Sequence, residues 1–284
     1  MKLTERKSCP YCKNTEFKNL FEKNYNSKEL NNFLYDYYKN KEILKILNTD
    51  IYMIVECKNC KGLFQKFIPD NDLSYFLYEK LISAEDSFNK KKNINQTNFK
   101  EYNFDAKIIK CLINKNNNET KILEFGCGWG FWAKFMKELN FKVETVEISS
   151  ARINHLNKNK IVNYKSISET NEKYDLIFSN QALEHINNPH DTLNELNERL
   201  VNGGIMFHKF PSTLFFKRKL SKKYIPKKDC AHPLEHINII NKKCFMKMCS
   251  LINLKPANVK NLDIVNSIKN FKNNILFNQA ILKK

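Results

Sequence analysis

No stretch of this 284-residue sequence is apolar for long enough to cross a bilayer as a helix, which takes about 20 consecutive residues. The opening segment, MKLTERKSCPYC, also lacks the apolar core of a secretory signal. Together the two absences predict a soluble, cytoplasmic chain. Acidic residues are scarce at one end: residues 201–284 hold 3 Asp/Glu against 17 Lys/Arg, whereas residues 1–200 hold 27 against 31. The net charge of +18 is therefore concentrated C-terminally, most densely in KRKLSKKYIPKK (217–228). Such a cluster attracts phosphate groups on a nucleotide sugar, a nucleic acid or an anionic lipid surface. It is equally what a chain crowded with Lys, Asn and Ile deposits on solvent-exposed positions. A disulfide framework is not indicated. The nine cysteines include two CxxC pairs, which suit metal binding in a reducing compartment.

Glycine is rare as well, yet three of the six glycines fall at alternate positions in KILEFGCGWG (121–130). Ile122, Leu123 and Phe125 form a short apolar run bearing Glu124 near its end; Gly126, Gly128 and Gly130 follow, and FWAKFMKEL has helical spacing. The pattern predicts a strand, a tight turn and a helix start. Glycine lets a ligand lie against bare main chain, and a helix start offers N–H groups without partners and a positive dipole end. A carboxylate two residues before the first glycine would repel a pyrophosphate but could hold an ammonium, directly or through water. A second strand, KVETVEIS (142–149), ends in Glu147, 21 residues after Gly126. There a carboxylate can accept both hydroxyls of a ribose. An ammonium at one end and a ribose at the other describe S-adenosylmethionine.

The pattern continues through YDLIFSNQALEHI (174–186), NPHDTLNELNERL and Asn202-Gly203-Gly204-Ile205. Residues 121–211 resemble, in order, the core motifs of class I S-adenosylmethionine-dependent methyltransferases. The resemblance implies an α/β, Rossmann-like seven-stranded sheet with an antiparallel last strand. It assigns cofactor contacts to Glu124, Phe125, Gly126, Cys127 (through its backbone), Gly128, Gly130, Glu147, Ile148, Asn180 and Gln181. Where the family has an acid near the adenine amino group, this chain offers only Ser166, Ser168 and Glu169. A proline suits the first turn of a helix, so Pro189 is expected to start one, and the C-terminal piece from Lys243 reads as a helix and two strands closing the sheet.

Cys9-Pro10-Tyr11-Cys12 and Cys57-Lys58-Asn59-Cys60 are two tight knuckles able to complete one tetrahedral Zn2+ site. They resemble the N-terminal zinc ribbon of methyltransferases acting on sugars, although Lys61 stands where those have glycine and 44 residues separate Cys12 from Cys57. That interval leaves room for an inserted helix, SKELNNFLYDYYKNKEILKIL. Four sulfur ligands leave no open position, so the ion would be structural. The expected organisation is a ribbon module (1–68), a linker or lid (69–104) and the methyltransferase domain (105–284). Tyr75, Phe76 and Tyr78 resemble a segment lying over the active site in sugar methyltransferases with this ribbon; plain core packing explains them as well. NKKKNINQTN (89–98) lacks periodicity and reads as a linker or lid edge.

Methyl transfer needs an aligned nucleophile and often a base, for which histidine is suited. His185 follows the fourth strand, and His236 lies in HPLEHINIIN (232–241). Glu235-His236 resembles the catalytic pair of deoxysugar C-methyltransferases, in which Glu235 would orient the ring and His236 would take the proton. A structural role for either histidine stays open. The chain lacks the extra C-terminal domain of those enzymes, which favours O- or N-methylation of a sugar, nucleotide sugar or similar anionic small molecule. An RNA methyltransferase is the first rival, set back by SNQALEHI standing where nucleobase amino-methylating enzymes carry Asn-Pro-Pro-aromatic. A non-catalytic cofactor-binding adaptor is the second. Nothing in the pattern specifies an oligomeric state.

Overall fold

A computed structural model describes residues 1–220, 223–257 and 279–284. Its strands, in chain order, begin with β1 (Leu3–Glu5), β2 (Phe17–Asn24), β3 (Ile51–Cys57), β4 (Leu63–Gln65) and β5 (Phe67–Pro69). Next come β6 (Lys121–Phe125), β7 (Lys142–Val146), β8 (Val162–Tyr164), β9 (Tyr174–Asn180) and β10 (Leu200–Lys209). Last among the described residues are β11 (Asn238–Ile239), β12 (Lys255–Pro256) and β13 (Gln279–Lys283). The chain divides into two compact units. One comprises Met1–Ser83, Leu183–Thr192 and Phe210–Cys249; the other comprises Ala84–Ala182, Leu193–Lys209 and Ser250–Lys284. The expected boundaries followed the chain linearly, whereas each unit gathers three separate segments.

In the first unit β11, β4, β3 and β2 form an antiparallel sheet in that order, and β1 pairs with β5. Segment 27–47, expected as one helix, forms two, Lys28–Tyr38 and Glu42–Ile46. Leu30, Leu34 and Tyr38 are all buried, and spacing by four places them on one helical face. Lys39 then adopts the left-handed conformation with φ 51°, its N–H bonding the Tyr35 carbonyl, and ends the helix. Those side chains join Phe21, Tyr52 and Leu73 in a single core. Leu73 and Leu77 belong to it too, which is why residues 69–83 fold with the N-terminal segment rather than as a free lid.

In the second unit the sheet order is β12-β13-β10-β9-β6-β7-β8. β8, β7, β6, β9 and β10 run parallel, and β13 is antiparallel to both β10 and β12. This is the expected seven-stranded α/β sheet with antiparallel closing strands. Strand succession reverses direction between β6 and β9, the switch point beyond whose carboxyl ends open α/β sheets bind ligands. Helices Phe131–Glu138 and Ser150–Lys158 join β6 to β7 and β7 to β8. Trp132 stacks on Phe178 of β9 at 4.0 Å and 11°, pinning the first of those helices to the sheet centre.

One further expectation is revised by tertiary packing. NKKKNINQTN is not a linker: it lies within one long helix, Ala84–Leu112. The two ends of that helix hold it. Phe88 meets Trp129, Phe131 and His155, while Tyr102, Ala106 and Ile109 enter the core. A polar middle can remain helical between two anchored ends. A helix does start at Pro189, running to Glu198. Of the C-terminal piece, helix Lys242–Leu251, β12 and β13 are observed, and the expected strand's residues 274–278 lie outside the described residues. No helix among the described residues is long and apolar enough to cross a membrane.

His208 sits fully buried in β10, and burial lowers its pKa from 6.5 to about 3. The unfolded chain therefore binds a proton between those values that the folded chain refuses. Stability from this residue is present above about pH 6.5 and is lost as pH falls toward 3. Replacing it, His208→Gln, should flatten the acid limb of urea-unfolding stability by up to about 1.4 kcal/mol per pH unit. An unchanged slope would mean that His208 is protonated in the fold.

Candidate functional site

Glu124, next to last in β6, is 4% exposed, and its Oε2 has no hydrogen-bond partner among the described residues. Burial, then the nearby carboxylates of Glu147 and Asp105, push its pKa well above the usual carboxylate range. After Phe125 the chain turns on Gly126, Gly128 and Gly130, all with φ between 59° and 70°. At Gly126 a Cβ would stand 2.6 Å from that of Ala182, so only glycine lets the loop close on the segment after β9. At Gly128 nothing lies within 4 Å of the added Cβ. The backbone there borders open space, as a ligand cradle requires. The Cys127 thiol belongs to the apolar core, and burial raises its pKa well above 9.

Glu147, just past β7, is 6% exposed. Its Oε2 accepts from the Gly128 N–H at 2.9 Å, and Oε1 accepts from the N–H groups of Ile148 and Ser149, both at 2.9 Å. Arg152 Nη1 stands 3.4 Å from Oε2. One carboxylate thus ties the glycine loop to the end of the next strand. Ile148 beside it is 75% exposed, an apolar side chain presented to solvent. Asn180 ends β9 opposite Lys209 of β10, and Gln181 turns left-handed with φ 55°, its N–H bonding the Lys209 carbonyl. The adenine candidates are locally engaged: Ser166 and Ser168 hydroxyls pair at 2.9 Å, and Glu169 accepts from the Lys165 N–H.

Spacing gave no sign of one group in this unit. Lys209, 5% exposed, donates to Glu101 at 2.8 Å and to Asp105 at 2.6 Å, and Trp132 Nε1 donates to Asp105 at 3.1 Å. Burial pushes the Asp105 carboxyl up to about 6 even with the Lys209 ammonium holding it down.

The other expected residues lie in the first unit. Cys9 and Cys60 sulfurs are 3.6 Å apart, as are those of Cys12 and Cys57, and all four fall within 4.8 Å of one another. Disulfides would be near 2.05 Å. Tetrahedral Zn2+ with ligand bonds of about 2.3 Å separates its sulfurs by about 3.8 Å, so the set fits that ion. The two knuckles repeat one geometry. Lys13 and Lys61 have φ of 61° and 60°, and their N–H groups bond the carbonyls of Cys9 and Cys57 at 2.9 and 3.1 Å. Lys61 thus adopts a left-handed conformation that favours glycine, and Gly62 is needed for space: a Cβ there would meet the Tyr11 ring at 2.3 Å.

His185 and His236 come together, with ring centroids 4.9 Å apart and planes at 73°. The expected Glu235–His236 arrangement is corrected. Glu235 accepts from the Tyr38 hydroxyl at 2.9 Å and from Tyr37 at 3.5 Å, and stands 3.9 Å from His232 Nδ1. The Asp229 carbonyl orients His236 instead, 2.6 Å from Nδ1, and the Glu235 carbonyl lies 2.9 Å from His185 Nδ1. Tyr78, from the aromatic segment, places its hydroxyl 3.0 Å from the same His185 nitrogen. A carbonyl only accepts, so both rings carry a proton on Nδ1 and a lone pair on Nε2. Burial lowers the His236 pKa to about 4 and raises that of neighbouring Glu184 to about 8. Asn238 and Arg6, which no motif marked, frame the pair. Asn238 donates to the carbonyls of Leu183 and Ile186 at 2.9 and 2.6 Å, and Arg6 donates to those of Ile237 and Asn187, both at 3.0 Å.

Residues 96–258 match the family described as a methyltransferase domain. Over 96 residues the sequence is 31% identical to a ubiquinone biosynthesis O-methyltransferase of Pelagibacter ubique (strain HTCC1062), a match covering 31% of this chain and 40% of that protein. The chain thus spans well under two thirds of that relative's length. The solved plantazolicin methyltransferase BpumL, in complex with SAH, superposes with a TM-score of 0.53 at 14% identity, covering 75% of this chain and 93% of its own. The related BamL, with a triazolic desmethylPZN analog and SAH, gives 0.51 at 10% identity, over 74% and 91%. At such identities the likeness is one of fold.

Proposed function

The chain belongs to the methyltransferase-domain family and is an S-adenosylmethionine-dependent methyltransferase of class I; from that premise we propose that it methylates a hydroxyl or amine of a small molecule, a sugar or nucleotide sugar in the first instance. One observation carries the donor side: a glycine loop tied to the Glu147 carboxylate, beside a buried Glu124 oxygen that lacks a partner. Glu124 would receive the ammonium, which would also return the carboxyl to its charged form. Glu147 would exchange its bonds to Gly128 and Arg152 for ribose hydroxyls. Backbone from Phe125 to Gly130 would lie along the ligand, with Ile148 against the base and Asn180 and Gln181 at the end of β9. When bound, the cofactor supplies an electrophilic methyl group on a sulfonium whose leaving group is a neutral thioether.

On the acceptor side, the histidine pair activates the nucleophile. His236 Nε2 takes the acceptor proton, its ring held by the Asp229 carbonyl, while His185 and Tyr78 orient the acceptor. Glu235 acts through its carbonyl on His185 and through Tyr37 and Tyr38 on the segment's shape. The surplus of Lys/Arg in residues 201–284 favours an anionic or phosphate-bearing acceptor. Cys9, Cys12, Cys57 and Cys60 would hold a structural Zn2+ that takes no part in the chemistry.

Calorimetry with S-adenosylhomocysteine tests the donor side. Wild-type protein should bind it and ignore NAD, and Glu147→Ala should weaken binding at least about tenfold, the loss of roughly one charged hydrogen bond. His236→Ala should leave that affinity intact and slow turnover about a hundredfold, the low end of what a general base contributes. Full turnover in His236→Ala removes the acceptor assignment. Steeply salt-dependent RNA binding would move the acceptor to nucleic acid.

A further inference from the structure

We infer that Glu184, His185 and His236 bind a first-row divalent cation, at a site separate from the four cysteines. One ligand-type atom from each lies within 4.8 Å of the others. An ion bound at about 2.1 Å separates its ligand atoms by roughly 3 to 4 Å, so the cluster needs only slight contraction to grip one.

The carboxylate gives the independent reason. Glu184 is 1% exposed, and neither of its oxygens meets a donor from any other described residue. A carboxyl group buried with no donor beyond its own backbone is strongly unfavourable, and a cation is a partner that removes the penalty. The imidazoles are already set as ligands. Each holds its proton on Nδ1 against a backbone carbonyl, Asp229 for His236 and Glu235 for His185, and each therefore offers Nε2. Metal-ligating histidines use this same arrangement, in which the second nitrogen donates to a carbonyl and fixes ring and tautomer. Asn238 and Arg6 hold the two backbone segments that carry the three residues.

Two imidazoles and one carboxylate suit Mn2+, Fe2+, Co2+ or Zn2+ better than Mg2+ or Ca2+, which prefer all-oxygen shells. Three protein ligands leave positions open for water or an acceptor oxygen. A cation there lowers the pKa of a bound hydroxyl. In the loaded protein the acidified acceptor hydroxyl gives its proton to solvent water rather than to His236, whose Nε2 has become a ligand. The inference goes beyond the proposed methyl transfer, since ion binding requires neither donor nor acceptor.

The test uses the full chain with its cysteine site filled by Zn2+. Mn2+ is titrated in and the free ion followed by electron paramagnetic resonance, Mn2+ being chosen because it has little affinity for thiolates. Wild-type protein should bind one equivalent, and pulsed spectra should show nitrogen coupling from two imidazoles. Glu184→Gln and His236→Gln should each weaken binding at least about tenfold, with near-ultraviolet circular dichroism reporting that the variants are folded. Absence of bound Mn2+ in the wild type, absence of imidazole coupling, or folded variants that bind as well as wild type would overturn the site. Because the readout is ion binding, failed methyl transfer would leave this result standing, and the reverse also holds.

Discussion

If Cys9, Cys12, Cys57 and Cys60 hold the proposed Zn2+, stripping it should lower the thermal midpoint of the protein by about 10 °C, a loss of roughly 3–5 kcal/mol. Structural zinc contributes about 10–16 kcal/mol in isolated finger peptides, which have almost no other core. This chain has one: Leu30, Leu34, Phe21 and Tyr52 cluster independently of the sulfurs, so only part of that contribution is exposed by removal. What fails is the knuckle pair itself. Cys9 and Cys57 are fully buried, Cys60 nearly so, and without the ion their sulfurs face one another at 3.6 Å with nothing to join them. Tyr11, fully buried and bonded to the Leu63 carbonyl at 2.6 Å, would lose its anchorage between the flanking ligands. Cys12→Ser, at the most exposed of the four ligands, should reproduce the loss without placing a polar atom in the core. The measurements are zinc content by a chromogenic chelator and the midpoint by circular dichroism. Less than half an equivalent of metal, or a midpoint within about 2 °C of the untreated protein, would count against a structural ion.

The parts that could be read from the chain are those where one residue type has a local reason to be present. Alternating glycines at 126, 128 and 130 announce a turn with positive φ, and the observed angles follow. Paired CxxC spacings announce knuckles, and the sulfurs converge. His185 and His236 carry separate local signals 51 positions apart, and the fold puts their rings 4.9 Å from each other. What escaped depends on partners distant in sequence. The helix through residues 89–98 is invisible locally because its apolar anchors, Phe88 and Tyr102, lie outside the polar stretch. Glu235 stands next to His236 in sequence, but its carboxylate is taken by Tyr37 and Tyr38, 198 and 197 residues away. Asn238 serves through its amide alone, donating to two carbonyls some 50 positions back, and an asparagine in an Asn-rich chain carries no flag. The buried ion pair at Asp105 and Lys209, 104 positions apart, belongs to the same class.

That pair leads to the second large effect. Lys209→Met keeps the length and most of the packing of the side chain while removing its charge, and it should cost about 3–5 kcal/mol, the usual consequence of leaving a buried partner uncompensated. Asp105 is 1% exposed, and its remaining donor is Trp132 Nε1 at 3.1 Å. Folded-state burial already raises this carboxyl from 3.8 to about 6; without Lys209 it rises further. A raised carboxyl favours the folded state while protonated, so its contribution is fully present below about pH 3.9 and is lost as pH climbs through the folded value. The deficit of Lys209→Met should therefore be largest at pH 8 and shrink as the solution is acidified toward pH 5. Asp105→Leu in the same background should restore most of the stability, because replacing both members of a buried pair by apolar groups is often neutral or better. Urea unfolding of the three proteins at pH 5 and 8 separates the outcomes. A deficit that ignores pH would place the loss in packing against Phe178 and Phe207, whose rings the ammonium overlies at 5.6 and 5.5 Å, rather than in the stranded carboxylate.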